Sequence, residues 1–145
     1  MDILIDANIL LRVSDASSPD YTRCAEALRR ARGSGHALCW CAQTMIEYWV
    51  VATRPVAVNG LGLAPSDVEI NLQGFASLFT FLPEPPDVGS RWRELVNRYN
   101  VRGRTGHDTR IVAFVLEHSL THLLTLNTAD FARYTEIVCL APENV

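Results

Sequence analysis

The sequence predicts an α/β domain built as three layers, with a central, mainly parallel sheet of four to five strands covered by helices on both faces. Two observations predict it. Short runs of β-forming residues alternate along the whole chain with stretches of helical periodicity, the pattern of a parallel sheet with crossover helices. The chain has 145 residues with no repeat, no low-complexity segment and no linker, so residues 1–145 form one domain able to bury its own core.

Met1 to Ile5 is a buried strand that ends in a turn into helix at Asp6-Ala7-Asn8. Ser18-Pro19-Asp20 starts a helix with proline at its first position. Its apolar stripe is Cys24, Ala25, Ala27, Leu28 and Ala31, and Gly33-Ser34-Gly35 stops it. His36 to Cys41 is the second strand. Gln43 to Arg54 is a helix apolar almost all round, closed by Pro55, and Val56 to Ala64 is a loop. Ser66-Asp67-Val68-Glu69 is a capping box opening a helix that runs to about Phe79. Thr80 to Leu82 is a short strand, Ser90 to Tyr99 a helix, and Val101 to Gly106 a polar turn. His107 to Ser119 is an amphipathic helix, His122 to Leu126 the fourth strand, Thr128 to Tyr134 a short helical turn, and Glu136 to Leu140 the last strand.

Apolar residues make up 48% of the chain and charged residues 20%, as in soluble globular proteins. No apolar run is long enough to span a bilayer, so no membrane partner is expected. The N-terminus lacks the basic segment of a signal peptide, which predicts a cytoplasmic location. Cys24, Cys39, Cys41 and Cys139 have no zinc-like spacing and read as reduced, buried side chains. Trp40, Trp49 and Trp92 sit among apolar neighbours, as core or interface residues do. The net charge of −3 argues against nucleic-acid binding through the overall field. All 13 basic residues are arginine, however, and arginine is the better fork for phosphate oxygens.

In open parallel sheets reactive groups collect beyond the carboxyl ends of the strands. Asp6 follows the first strand directly, where it is either a helix cap or a functional acid. Glu47 lies in Met45-Ile46-Glu47-Tyr48-Trp49, among large apolar side chains, and a carboxylate is costly to bury there unless it meets a cation. Asp108 either completes the capping box Thr105-Gly106-His107-Asp108 or belongs with the other acids. Asn127 and Asp130 follow the fourth strand, as a cap and first-turn acid or as site residues. If the first and fourth strands are neighbours, these groups share one rim. Several carboxylates there would hold protons unless a cation neutralised them. Oxygen donors without His or Cys select magnesium or manganese, and such a centre suits phosphodiester hydrolysis.

Asp6-x-Asn8 after an N-terminal strand, a helical Glu47, His107-Asp108 opening a helix and Thr125-x-Asn127-x-x-Asp130-Phe131 together resemble the PIN-domain nucleases. The size and layout resemble their bacterial toxin branch, the VapC ribonucleases of toxin–antitoxin pairs. The resemblance implies a PIN-like fold and a magnesium-dependent endoribonuclease acting on RNA, inhibited by a small cognate antitoxin. It implies that Asp6 and Asp108 bind metal directly and that Glu47 is the second acid. Asn127 occupies a position where many relatives have Asp, with Asp130 nearby, and Thr125 matches a hydroxyl position able to hold water. Ala7 replaces a Thr or Ser common after the first acid. Asn8, Arg102, Arg104 and Arg110 are the expected substrate contacts, the arginines as a phosphate-guiding patch or simply as a solvated loop and helix start. His107 is an acid–base group or a capping histidine. A hydrophobic face left by such a core would suit a homodimer and the antitoxin.

The first alternative is a non-catalytic RNA-binding or assembly module on the same scaffold, with Asn127 marking decay of the site. A phosphoacceptor receiver-like domain needs a lysine near the phosphate, and the chain has none. A two-aspartate phosphatase needs a second aspartate two residues after the first, where Asn8 stands.

Overall fold

A computed structural model describes residues 1–145. Five strands, β1 (Asp2–Ile5), β2 (Ala37–Trp40), β3 (Thr80–Phe81), β4 (His122–Leu124) and β5 (Val138–Leu140), form one sheet in the order β3-β2-β1-β4-β5. Every neighbouring pair is parallel. Six α-helices join them: α1 (Ala7–Val13), α2 (Tyr21–Gly33), α3 (Ala42–Thr53), α4 (Pro65–Leu78), α5 (Val88–Arg98) and α6 (Thr105–Glu117).

The two-residue period of the strands sorts their side chains into two cores. Ile3, Ile5, Leu38, Trp40 and Leu124 face one layer, where they meet Ile9 and Leu10 of α1, Cys24 of α2, Tyr48 of α3 and Phe75 of α4. Leu4, Cys39, Cys41 and Leu123 face the other, against Leu95 of α5 and Ile111, Val112, Phe114 and Val115 of α6. The three-layer α/β/α arrangement is therefore as the sequence predicts, with five strands. Cys39 and Cys41 share a face and all four cysteines are unpaired thiols. No helix is long and apolar enough to cross a membrane.

Helix starts depart from the sequence reading. A full helix, α1, follows β1 where only a turn into helix was expected. Pro19 lies in the turn before α2, which begins at Tyr21. In α4 the first residue is Pro65, whose missing N–H costs nothing there. Ser66 is thus already inside the helix, and Glu69 accepts from Gln73 (3.3 Å) instead of capping. Where no cap was anticipated, the Cys41 N–H donates to Thr44 Oγ1 at 3.1 Å and closes the N-terminus of α3. Helix α5 starts at Val88, ahead of Ser90, and α6 at Thr105, ahead of His107. The strand of the last segment begins at Val138, since the Glu136 carboxylate turns out to Tyr99 Oη (2.7 Å) and Arg98.

Tyr48 locks the first layer. Its hydroxyl meets Ser14 Oγ at 2.8 Å and accepts from Asn71 Nδ2 at 2.9 Å, tying α1, α3 and α4 together, while its ring packs edge-on against Phe75. Tyr48→Phe keeps the ring and strands both partners, so it should cost about 1–3 kcal/mol in a urea-unfolding measurement.

Strand β1 occupies the middle of the sheet, with β2 on one side and β4 on the other. Chain order reverses between β1 and β4, and the crevice beyond their carboxyl ends is where such sheets place a site.

Candidate active site

Asp6 continues β1 by one residue, its N–H donating to the Leu124 carbonyl at 3.0 Å. The register pairs Ile5 with Leu124, which puts Asp6 beside Thr125 at the end of β4. The side chain does not cap α1. Its Oδ2 instead accepts from Thr125 Oγ1 at 2.6 Å and from Asn8 Nδ2 at 3.0 Å. Asn8 Nδ2 also reaches Thr125 Oγ1 (3.0 Å), and its Oδ1 accepts the Leu126 N–H (3.1 Å). Asn8 is thus spent on stitching the two strand ends together, which leaves its amide no spare hydrogen for a substrate. Thr125, wholly buried, accepts the Asn127 N–H as well (3.1 Å). Only 9% of Asp6 is exposed. Burial pushes its carboxyl up to about 6; the Thr125 hydroxyl opposes this, and the charges of Glu47 and Asp108 add to it.

Asp108 sits in the first turn of α6 and makes no capping bond. Its proton affinity is also raised, first by burial and then by repulsion from Asp130 and Glu47, with His107 and Arg104 opposing. Glu47 projects from α3, and its Oε1 accepts from Gln43 Nε2 at 2.9 Å. The same nitrogen donates to the His107 carbonyl (3.0 Å), so one amide spans the gap between α3 and the start of α6. Gln43 Oε1 accepts from Arg110 Nη1 (2.9 Å), and Arg110 Nη2 pairs with Glu84 (2.7 Å). Arg110 is thereby held away from the phosphate-guiding role expected of it.

A cleft of about 750 Å³ collects Asp6, Glu47, Asp108, Asn127 and Asp130. Asn127 and Asp130 reach it from the 3-10 turn Thr128–Phe131 and the residue before it. None of the ion pairs in the chain involves any of these four acids. Arg104 lines the cleft, as does Arg54 at the end of α3; Arg102 is exposed outside it. Sequence reading missed Gln43 and Arg54. The signal was helical spacing, since Gln43 stands four residues before Glu47, and Val50, Val51 and Arg54 follow on the same cleft-facing side. Gly60 fixes the chain beyond Arg54, because a Cβ at that position would collide with the Arg54 carbonyl.

No three His, Cys, Asp or Glu side chains stand as a ready set for a metal ion. Magnesium does not demand one, since it keeps several waters and takes one or two carboxylates from the protein. The donors fit such an ion in kind: they are hard oxygens, and the buried Asp6 carboxylate has no cationic partner.

A family model described as PIN domain matches residues 3–137. Among solved structures, VapBC-1 from nontypeable Haemophilus influenzae aligns with a TM-score of 0.73 at 14% identity, over 99% of each chain. A toxin–antitoxin complex from Klebsiella pneumoniae aligns at 0.64 and 23%, again over 99% of each. VapC20 of Mycobacterium tuberculosis, a sarcin–ricin loop cleaving toxin, aligns at 0.62 and 11%, over 83% of this chain and 86% of that one. At these identities the likeness is one of fold. No curated protein sequence matches the chain.

Proposed function

Because the chain belongs to the PIN-domain family, we propose that it is a magnesium-dependent endoribonuclease, manganese being able to substitute, and the toxin of a toxin–antitoxin pair. One observation carries this reading: four carboxylates without a cationic partner converge on one cleft at the switch point of a parallel sheet. The description of VapC20 as a toxin that cleaves the sarcin–ricin loop supports RNA as the substrate class.

Asp6 and Asp108 are the residues that would hold the cation, with Asn127 and Asp130 completing the rim. When bound, the ion would supply Lewis-acid stabilisation of charge on the scissile phosphate. Thr125 and Asn8 fix Asp6 from behind, so that its carboxylate does not turn away from the cleft. Glu47 keeps Oε1 on Gln43 and has Oε2 available to take a proton from the attacking water. Arg104 and Arg54 line the same cleft without forming ion pairs and draw the phosphodiester chain toward it, against an overall charge of −3. Ile46 (60% exposed) and Val50 (47%) form an apolar wall of the cleft, suited to a small antitoxin. Val56, Val58 and Ile70 are exposed apolar residues suited to a homodimer contact.

The test is direct. Purified protein should cut single-stranded RNA with magnesium or manganese, and EDTA should stop it. RNA binding that is indifferent to EDTA, with no cutting under any condition, would leave the RNA-binding module as the correct reading. Gln43→Met keeps the length of the side chain and removes the amide bonds to Glu47, His107 and Arg110. It should lower kcat about tenfold or more, a larger effect than on KM, because it frees Glu47 while leaving Arg104 and Arg54 in the cleft.

A further inference from the structure

A second pocket, of about 350 Å³, opens beside the cleft, and His107 lines both. Its other walls include Gly89, Trp92, Gly103, Gly106 and Arg110. Three of these are glycines, so backbone is open to a ligand there. Nothing lies within 4 Å of where a Cβ at Gly89 or Gly103 would be, which marks open space rather than tight packing. Trp92 is half-buried, and its indole N–H donates to the Gly106 carbonyl at 2.8 Å, which fixes the ring in place. Arg110 is fixed as well, with Nη1 on Gln43 and Nη2 on Glu84. The pocket therefore offers a held indole ring and a held guanidinium, both flat, and an exposed imidazole at its mouth. A phosphate would be served by free, flexible arginines. Fixed flat groups suit a flat ligand instead.

We propose that this pocket is a nucleobase subsite, which receives the base of a nucleotide next to the scissile phosphate and gives the enzyme its sequence preference. The inference rests on the reading of the cleft as a ribonuclease site, and it makes Trp92 a recognition residue rather than only a core one. Because His107 borders both spaces, a chain whose phosphate lies over Asp108 can lower the neighbouring base past His107 into the pocket without leaving the surface. Stacking of a base on an aromatic or guanidinium plane gives affinity, and the Gly89 N–H, in the first turn of α5 and without an intrahelical acceptor, is a donor to read its edge.

The test uses Gly89→Leu, which fills the pocket. The site is in the first turn of α5, where leucine is the better helix former and its Cβ has nothing within 4 Å, so the backbone is kept. Metal-free wild-type protein is titrated with uridine 5′-monophosphate, adenosine 5′-monophosphate and ribose 5-phosphate while tryptophan fluorescence is followed. A nucleotide should quench it saturably where ribose 5-phosphate does not. Gly89→Leu should weaken that binding about tenfold or more, and Trp92→Phe should remove most of the quench. On a random-sequence RNA pool, Gly89→Leu should flatten the preference beside the cut site while still cutting. Unchanged nucleotide binding and unchanged preference in Gly89→Leu would overturn the proposal and leave the ribonuclease reading standing. Saturable nucleotide binding lost in Gly89→Leu, in a protein that cuts no RNA, would overturn the ribonuclease reading and leave the base pocket standing.

Discussion

Asp6→Asn is expected to abolish RNA cleavage, by at least about a hundredfold, and at the same time to raise the melting temperature of the metal-free protein at pH 7.5. Both effects come from one carboxylate. Asp6 is nine-tenths buried and takes its side-chain hydrogen bonds from neutral groups, Thr125 and Asn8, while the charges that act on it are the acids Glu47 and Asp108. Its carboxyl rises from 3.8 to about 6. A group whose proton is bound more tightly in the folded state stabilises the fold below its unfolded pKa, and that stability is lost as the pH rises through the folded value. The loss therefore runs from about pH 4 to just above pH 6, and at pH 7.5 it is complete. A shift of this size corresponds to about 3 kcal/mol. The asparagine side chain can accept the same bonds from Thr125 and Asn8 without the charge, so several degrees of melting temperature should return. At pH 4 the two proteins should melt together. A variant that cuts RNA normally would show that the cleft is not the catalytic site. A variant that melts no higher at pH 7.5 would show that the charge of Asp6 is already compensated without metal.

The layers of this fold could be read from the chain because each strand carries its own two-residue pattern, and the alternation of strands with helices leaves few topologies. The candidate site was legible for a related reason. Asp6, Asn127 and Asp130 follow strand ends, and a parallel sheet sends strand ends to one rim. What separates a functional acid from a helix cap is not local, however. Asp108 has the spacing of a capping box, yet α6 begins at Thr105 and the carboxylate is left uncapping. Ser66 and Glu69 have it too, and the helix starts ahead of both, at Pro65. Asn8 and Arg110 are drawn away from a substrate phosphate by partners remote in sequence: Leu126 and Thr125 for the first, Gln43 and Glu84 for the second. Side chains that must span such distances are settled by packing, and no short window of residues contains the deciding partner. Arg104, by contrast, meets no such partner and lines the cleft.

Protons and divalent cations should compete for this cleft, and the competition gives the second large effect. A ligand carboxylate must be ionised to bind metal, so apparent affinity should fall about tenfold for each pH unit below the pKa of Asp6, near 6. Asp108 also holds its proton more tightly than usual, which makes the fall steeper if both are ligands. Calorimetric unfolding in manganese at pH 5, 6 and 7.5 reads this without any RNA. At pH 7.5 the ion should raise the melting temperature of the wild-type protein by several degrees, since a hundredfold excess over the dissociation constant stabilises by about 2.7 kcal/mol. At pH 5 the rise should nearly vanish. In Asp6→Asn it should be small at every pH. Cleavage at limiting metal should follow the same curve, rising through about pH 6, and saturating metal should move that midpoint downward, because the cation then displaces the proton by mass action. Equal stabilisation by manganese at pH 5 and pH 7.5 would mean that the ion binds elsewhere. The acids of the cleft would then repel one another for some other purpose, and the metal would have to be removed from the account of the reaction.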